Sequence, residues 1–149
     1  MNGPPTTEPI GLHVARAAKV LERAFEDALA VAGGSRPAWL ILLSLKSGRW
    51  GTQRELADRL GIKPATLTHH LAALERDGLV RRERDPDNRR VQRMALTDAG
   101  DAAFHRLREA AAAFDRDLRA GLAAEELERF ALVLDRLAAN AAAATAPTR

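Results

Sequence analysis

Cysteine is absent from the 149-residue chain, and so is tyrosine. Without cysteine there can be no disulfides, no thiolate-ligated zinc or iron–sulfur centre, and no sensing through a thiol. Aromatic residues make up only 4% of the chain, too few for a stacking platform against single-stranded nucleic acid. There is no run of 18 apolar residues, so neither a transmembrane helix nor a membrane partner is expected. Segment 1–9, MNGPPTTEP, lacks the apolar centre of a secretory signal. It is expected to be a flexible lead-in, with the cytoplasm as the simplest location. The chain also has no glycine-rich phosphate loop, no Gly-x-Ser-x-Gly elbow and no His-Glu-x-x-His pair. Accordingly no catalytic residue, metal ligand or cofactor is assigned, and an enzyme is not expected.

Apolar residues make up 46% and charged residues 29%, enough for one domain with a core and a well-solvated surface. The net charge of +3 is unevenly spread. Residues 1–48 are net +1, residues 49–93 hold eleven basic and seven acidic side chains, and residues 94–149 are net −2. Positive charge gathered in the middle third suits a segment that faces a polyanion.

Periodicity orders the elements. Ile10, Val14, Ala17, Leu21, Ala24, Ala28 and Leu29 recur at spacings of three and four, predicting a helix over 10–32 that ends at Gly33-Gly34. A second helix spans 36–47, with Pro37 in its first turn and Trp39, Leu42, Leu43 and Leu45 as its bulk. Thr52 and Glu55 form a capping box for a short third helix, 52–60. Pro64 opens a fourth, 64–77, whose Leu67, Leu71 and Leu74 face inward. Residues 79–84 and 90–96 read as two strands joined by the turn Asp85-Pro86-Asp87-Asn88. Thr97-Asp98 caps a long helix over 98–119, with Ala102, Ala103, Leu107, Ala110, Ala111, Phe114 and Leu118 on its apolar side. A last helix covers 124–143 around Phe130, Leu134 and Leu137, and the alanine-rich end is expected to fray, leaving 144–149 as a flexible tail.

A capped short helix, a tight turn, a second helix and a basic hairpin present one helix to the major groove and an arm to the backbone or minor groove. Double-stranded DNA is therefore the expected partner. Thr66, Thr68 and His69, on the polar side of the fourth helix, are the candidates for base and phosphate contacts. Thr52, Gln53, Arg54 and Lys63 are candidates for phosphates. In the hairpin the candidates are Arg84, Asp87, Arg89 and Arg90, with Arg89 at the tip entering the minor groove or gripping phosphates and Asp87 orienting the loop. The apolar stripe of the first helix and the alanine-rich faces of the last two call for burial across a two-fold axis. The fold class is thus mainly α with a small β-hairpin wing. A winged helix-turn-helix at 36–97 is flanked by dimerisation helices at 10–35 and 98–143.

The run ELADRLGIKPATLTHHLAALERDGLVRRERDPDNRRVQRMALTDAG resembles the winged-helix domain of MarR-family transcriptional regulators. The likeness rests on Leu-Ala…Leu-Gly at 56–61, Leu-Glu…Gly-Leu-Val at 74–80, Asp87-Asn88-Arg89, and Leu96-Thr97…Gly100. It implies a homodimeric repressor on a pseudo-palindromic operator, released by a small aromatic or anionic effector. In such a family the effector crevice is lined from the first helices, which here points to His13, Arg16, Trp39 and His70. Arg16 would pair with an anion through its fork, while His70 also fits an ordinary packed position. Two features depart from the pattern. Thr68-His69-His70-Leu71 is closer to the recognition helix of ArsR-family metal sensors, so an ArsR-like or purely architectural winged-helix protein without an effector is the alternative. Ala123 stands where a helix-capping hydroxyl is usual, which predicts a less firm start for the last helix.

Overall fold

The computed structural model describes residues 8–48, 53–84, 87 and 92–145. In chain order these form α1 (Ile10–Val31), α2 (Arg36–Lys46), α3 (Gln53–Leu60), α4 (Pro64–Arg76), β1 (Val80–Arg84), β2 (Gln92–Leu96), α5 (Asp98–Arg119) and α6 (Ala124–Thr145). The chain divides into a body ending at Phe114 and another beginning at Asp115.

In the first body, Leu29, Ile41, Leu42, Leu56, Leu67, Leu71, Leu74, Val80, Phe104 and Leu107 make one buried cluster. It joins the end of α1 to α2, the α3–α4 pair, the hairpin and α5. Ser35 caps α2 by accepting the Ala38 N–H at 3.3 Å. Gly61, at φ 65°, ends α3, and the Ile62 N–H returns to the Ala57 carbonyl at 3.0 Å. A positive φ costs glycine little, so α4 can leave at once in a new direction. The hairpin is antiparallel, pairing Val80 with Leu96 and Arg84 with Gln92.

One junction fixes the far end of α4. The Thr97 hydroxyl donates to the Gly78 carbonyl at 2.6 Å and accepts the Gly100 N–H at 3.0 Å. The Thr97 N–H donates to the Leu79 carbonyl at 3.1 Å. Gly100 is buried in the first turn of α5, hard against Leu79. The capping role expected of Thr97 is met, and the same side chain also ties the end of α4 to the start of α5.

Several expected core positions shift. On α2, Leu43 is exposed while Ile41 is fully buried, because α2 packs on both flanks and turns Leu43 outward. On α5, Ala102 is exposed and Leu118 largely so. Phe104 takes the core instead, stacked on Trp39 at 5.4 Å between centroids and 13° between planes. The stripe of α1 is buried only at its end: Leu29 is enclosed, but Ile10 is 59% exposed. Phe25, near that end, packs on Phe114 at 5.3 Å.

In the second body, α6 does not fray at 141 but stays helical to Thr145, in keeping with the high helix propensity of alanine. Its start is also firmer than Ala123 suggests. The Glu126 carboxylate accepts the Ala123 N–H at 2.8 Å, one half of a capping box. Asp115 and Arg119 pair one turn apart at 2.7 Å.

Candidate nucleic-acid interface

The buried side of α4 is set by Leu67, Leu71 and Leu74. At 3.6 residues per turn, His69 and Arg76 lie furthest from that row, Thr66 and Thr68 lie about a quarter-turn from it on opposite sides, and His70 flanks it on the Thr66 side. Thr66, Thr68, His69 and Arg76 are exposed, whereas His70 is half-buried. The Thr68 hydroxyl donates to the Pro64 carbonyl at 3.0 Å, so its oxygen remains available only as an acceptor. The rings of His69 and His70 stand edge to face, 6.2 Å apart.

Gln53, Arg54 and Lys63, at the starts of α3 and α4, are exposed, and so is Arg84 at the outer end of β1. Asp87 is also exposed, while Thr52, Arg89 and Arg90 lie outside the described residues. Two hairpin arginines were not singled out from the sequence. The Arg81 guanidinium donates to the Glu83 carboxylate at 2.6 Å and to the Leu96 carbonyl at 3.3 Å. Arg82 donates to Glu75 at 3.2 Å, bracing the hairpin on α4. Their signal was the basic run 81–84 itself, in which paired and projecting arginines look alike. Together α4 and β1 offer hydroxyls, an imidazole and guanidinium groups on a narrow helix backed by apolar packing, the chemistry of a duplex reader.

A MarR family model matches residues 35–91. The transcriptional regulator PA3341, known from its crystal structure, is 32% identical, with a TM-score of 0.73 over 89% of this chain and 97% of that one. The chain belongs to the MarR family. The Mycobacterium tuberculosis regulator MosR, solved in complex with DNA, is 28% identical, with a TM-score of 0.67 over 93% of this chain and 99% of MosR. The Streptomyces coelicolor regulator PcaV, solved with its natural ligand, is 26% identical, with a TM-score of 0.71 over 92% and 99%. Curated regulators and repressors of the helix-turn-helix type from Bacillus subtilis and Methylorubrum extorquens are 32 to 40% identical over 48 to 60% of this chain. The chain spans about half the length of these curated relatives, 43 to 54%.

In this MarR-family chain the four residues expected to line an effector crevice do not share one cavity. Glu8 takes both arms of the Arg16 guanidinium at 2.7 Å, and the same carboxylate lies 3.3 Å from the His13 ring nitrogen. All of this is on the exposed start of α1. Trp39 is held in the core by Phe104. Of the four, His70 lines a cavity of about 230 Å³ between the α1–α2 turn, α4 and α5. Asp77 and Arg106 also line it. They stand 29 positions apart in the chain, and nothing in the sequence connects them.

A separate polar cluster ties α2 to α5. Lys46 donates to Asp101, and His105 lies 3.4 Å from the other oxygen of that carboxylate. The hydrogen bond and charge of Lys46 outweigh the opposing effect of burial and, helped by His105, hold the Asp101 carboxyl below its ordinary pKa. No single helix among the described residues is long and apolar enough to cross a membrane.

Proposed function

We propose that the chain is a homodimeric, double-stranded DNA-binding repressor whose operator affinity is set by a small effector. The observation that carries this reading is the division of α4 into a buried leucine row and an exposed face bearing Thr66 and His69. This helix enters the major groove, where Thr66 and His69 meet base edges and the Thr68 oxygen accepts from a donor group of a base. Gln53, Arg54, Lys63, Arg84 and Arg89 hold the backbone on either side, and Asp87 orients the hairpin tip. Two relatives, one solved with DNA and one with its ligand, support the two parts of the reading.

Dimerisation is supported by the apolar surface left on the terminal helices. Val31 is 91% exposed, Leu132 65% and Phe130 59%, an arrangement that calls for a second copy. Light scattering should report twice the 16.2 kDa of one chain.

The decisive experiment titrates the protein against the DNA flanking its own gene by fluorescence anisotropy at fixed salt. A Thr66→Ala/His69→Ala double variant should bind that fragment at least tenfold more weakly, since one good base contact is worth about 1–3 kcal/mol. Equal affinity for the flanking fragment and a scrambled duplex would overturn the assignment.

A further inference from the structure

The cavity behind the recognition helix has a floor of Leu42, Leu74, Ala103 and Leu107 and a rim carrying His70, Asp77 and Arg106. The rim charges are opposite, yet no ion pair or hydrogen bond joins the side chains of Asp77 and Arg106 to each other or to any other described residue. Asp77 is the C-terminal cap of α4, and Arg106 sits in the middle of α5. An anion and a cation, both exposed at the rim, therefore stand without a partner among the described residues across a hollow whose floor is apolar. The volume suits a single ring with one or two substituents, since a cavity of about 150 Å³ already accepts benzene.

We propose that this cavity binds a monocyclic zwitterion, with its anionic group on Arg106, its ammonium on Asp77 and its ring on the leucine floor. A plain aromatic acid would leave the Asp77 carboxylate facing the ligand unpaired, and a plain amine would do the same to Arg106. The floor alone distinguishes none of the three, so preference for the zwitterion comes from the rim. His70 contributes an imidazole that can donate or accept at the same mouth. Because it is the residue next to His69, an occupant tied to Asp77 and Arg106 holds α4 on α5 directly behind the face assigned to DNA. The inference takes from the proposed function only that an effector exists.

The test is an NMR shift titration of the full-length protein at neutral pH with 3-(aminomethyl)benzoate, benzoate and benzylamine as probes. The zwitterion should bind at least about tenfold more tightly than either singly charged probe, the margin of one charge-assisted hydrogen bond. Arg106→Gln and Asp77→Asn should each remove that margin while leaving the melting temperature near wild type. Ala73→Leu, which fills the hollow without changing its charge, should abolish binding of all three. Absence of zwitterion binding, equal affinity for the three probes, or a margin that survives both rim substitutions would overturn the proposal. Operator affinity measured without any probe reports on the proposed function separately, so the two can fail independently.

Discussion

Replacing Gly100 by alanine should unfold the regulator at a lower temperature although alanine is the better helix former. A methyl built on Gly100 lies 1.8 Å from the Leu79 carbonyl oxygen and 2.9 Å from its carbon. Both atoms are backbone, so no rotamer relieves the clash. The start of α5 must move away from Leu79, which strains the Thr97 N–H bond to that carbonyl and the Thr97 cap on Gly100. Overpacking costs about 1–3 kcal/mol, and each hydrogen bond lost adds about 1 kcal/mol. Against this stands a gain of roughly 1 kcal/mol in helix propensity. The net loss is about 2–4 kcal/mol, which for a chain of this size lowers the melting temperature by roughly 5–15 °C. Gly11 is the matched control: it is also helical, and a methyl there meets nothing within 4 Å. Gly11→Ala should be neutral or raise the transition by a few degrees. Calorimetry of all three proteins at one fixed concentration keeps mass action from confusing the comparison. A Gly100→Ala protein melting at or above wild type would refute the reasoning.

Thr97→Val keeps the shape of the junction but removes the hydroxyl bonds to Gly78 and Gly100. Urea unfolding should show a loss of about 1–2 kcal/mol, and an unchanged midpoint would count against the junction. Asp101→Asn tests the lowered pKa. A carboxyl held below its unfolded value stabilises the fold above that unfolded value, and the contribution is lost as pH falls through the folded one. The melting-temperature gap between wild type and Asp101→Asn should therefore be widest near neutrality and close in acid, whereas a gap independent of pH would point to packing instead.

What the sequence made legible follows from what periodicity can carry. Leu67, Leu71 and Leu74 on α4, and the glycines that end α3 and α4, determine local geometry by themselves, and those elements lie where the spacing put them. Phe104 stands at helical spacing in the row of Leu107, Ala111 and Phe114, so periodicity carried it, although the partner Trp39 that it stacks on did not show in the sequence. Ala102 is exposed because it lies on the far side of α5 from that row, and Leu118 lies past the end of the first body. The group of His13, Arg16, Trp39 and His70 joined residues from three helices without knowing their crossings, and the described cavity takes in only His70 of the four. Arg16 was instead taken by Glu8, a partner only eight residues away. Asp77 and Arg106 were illegible in principle, since solvated charges carry no periodic mark and only the cavity they both line brings them together.

The adjacency of His69 and His70 gives α4 a property that neither residue has alone. Successive residues on a helix point about 100° apart, so one step along the chain carries the surface from the exposed face to the cavity mouth. Leu67, Leu71 and Leu74 fill the remaining side and hold the helix at one depth. A helix of 13 residues so placed has no spare face: it cannot turn about its axis to favour an occupant of the cavity without carrying Thr66 and His69 with it. On the proposed reading, an occupant tied to Asp77 and Arg106 acts on Thr66 and His69 through the position of α4, and substitutions in the cavity should change operator affinity for all sequences by similar factors rather than alter which bases are preferred.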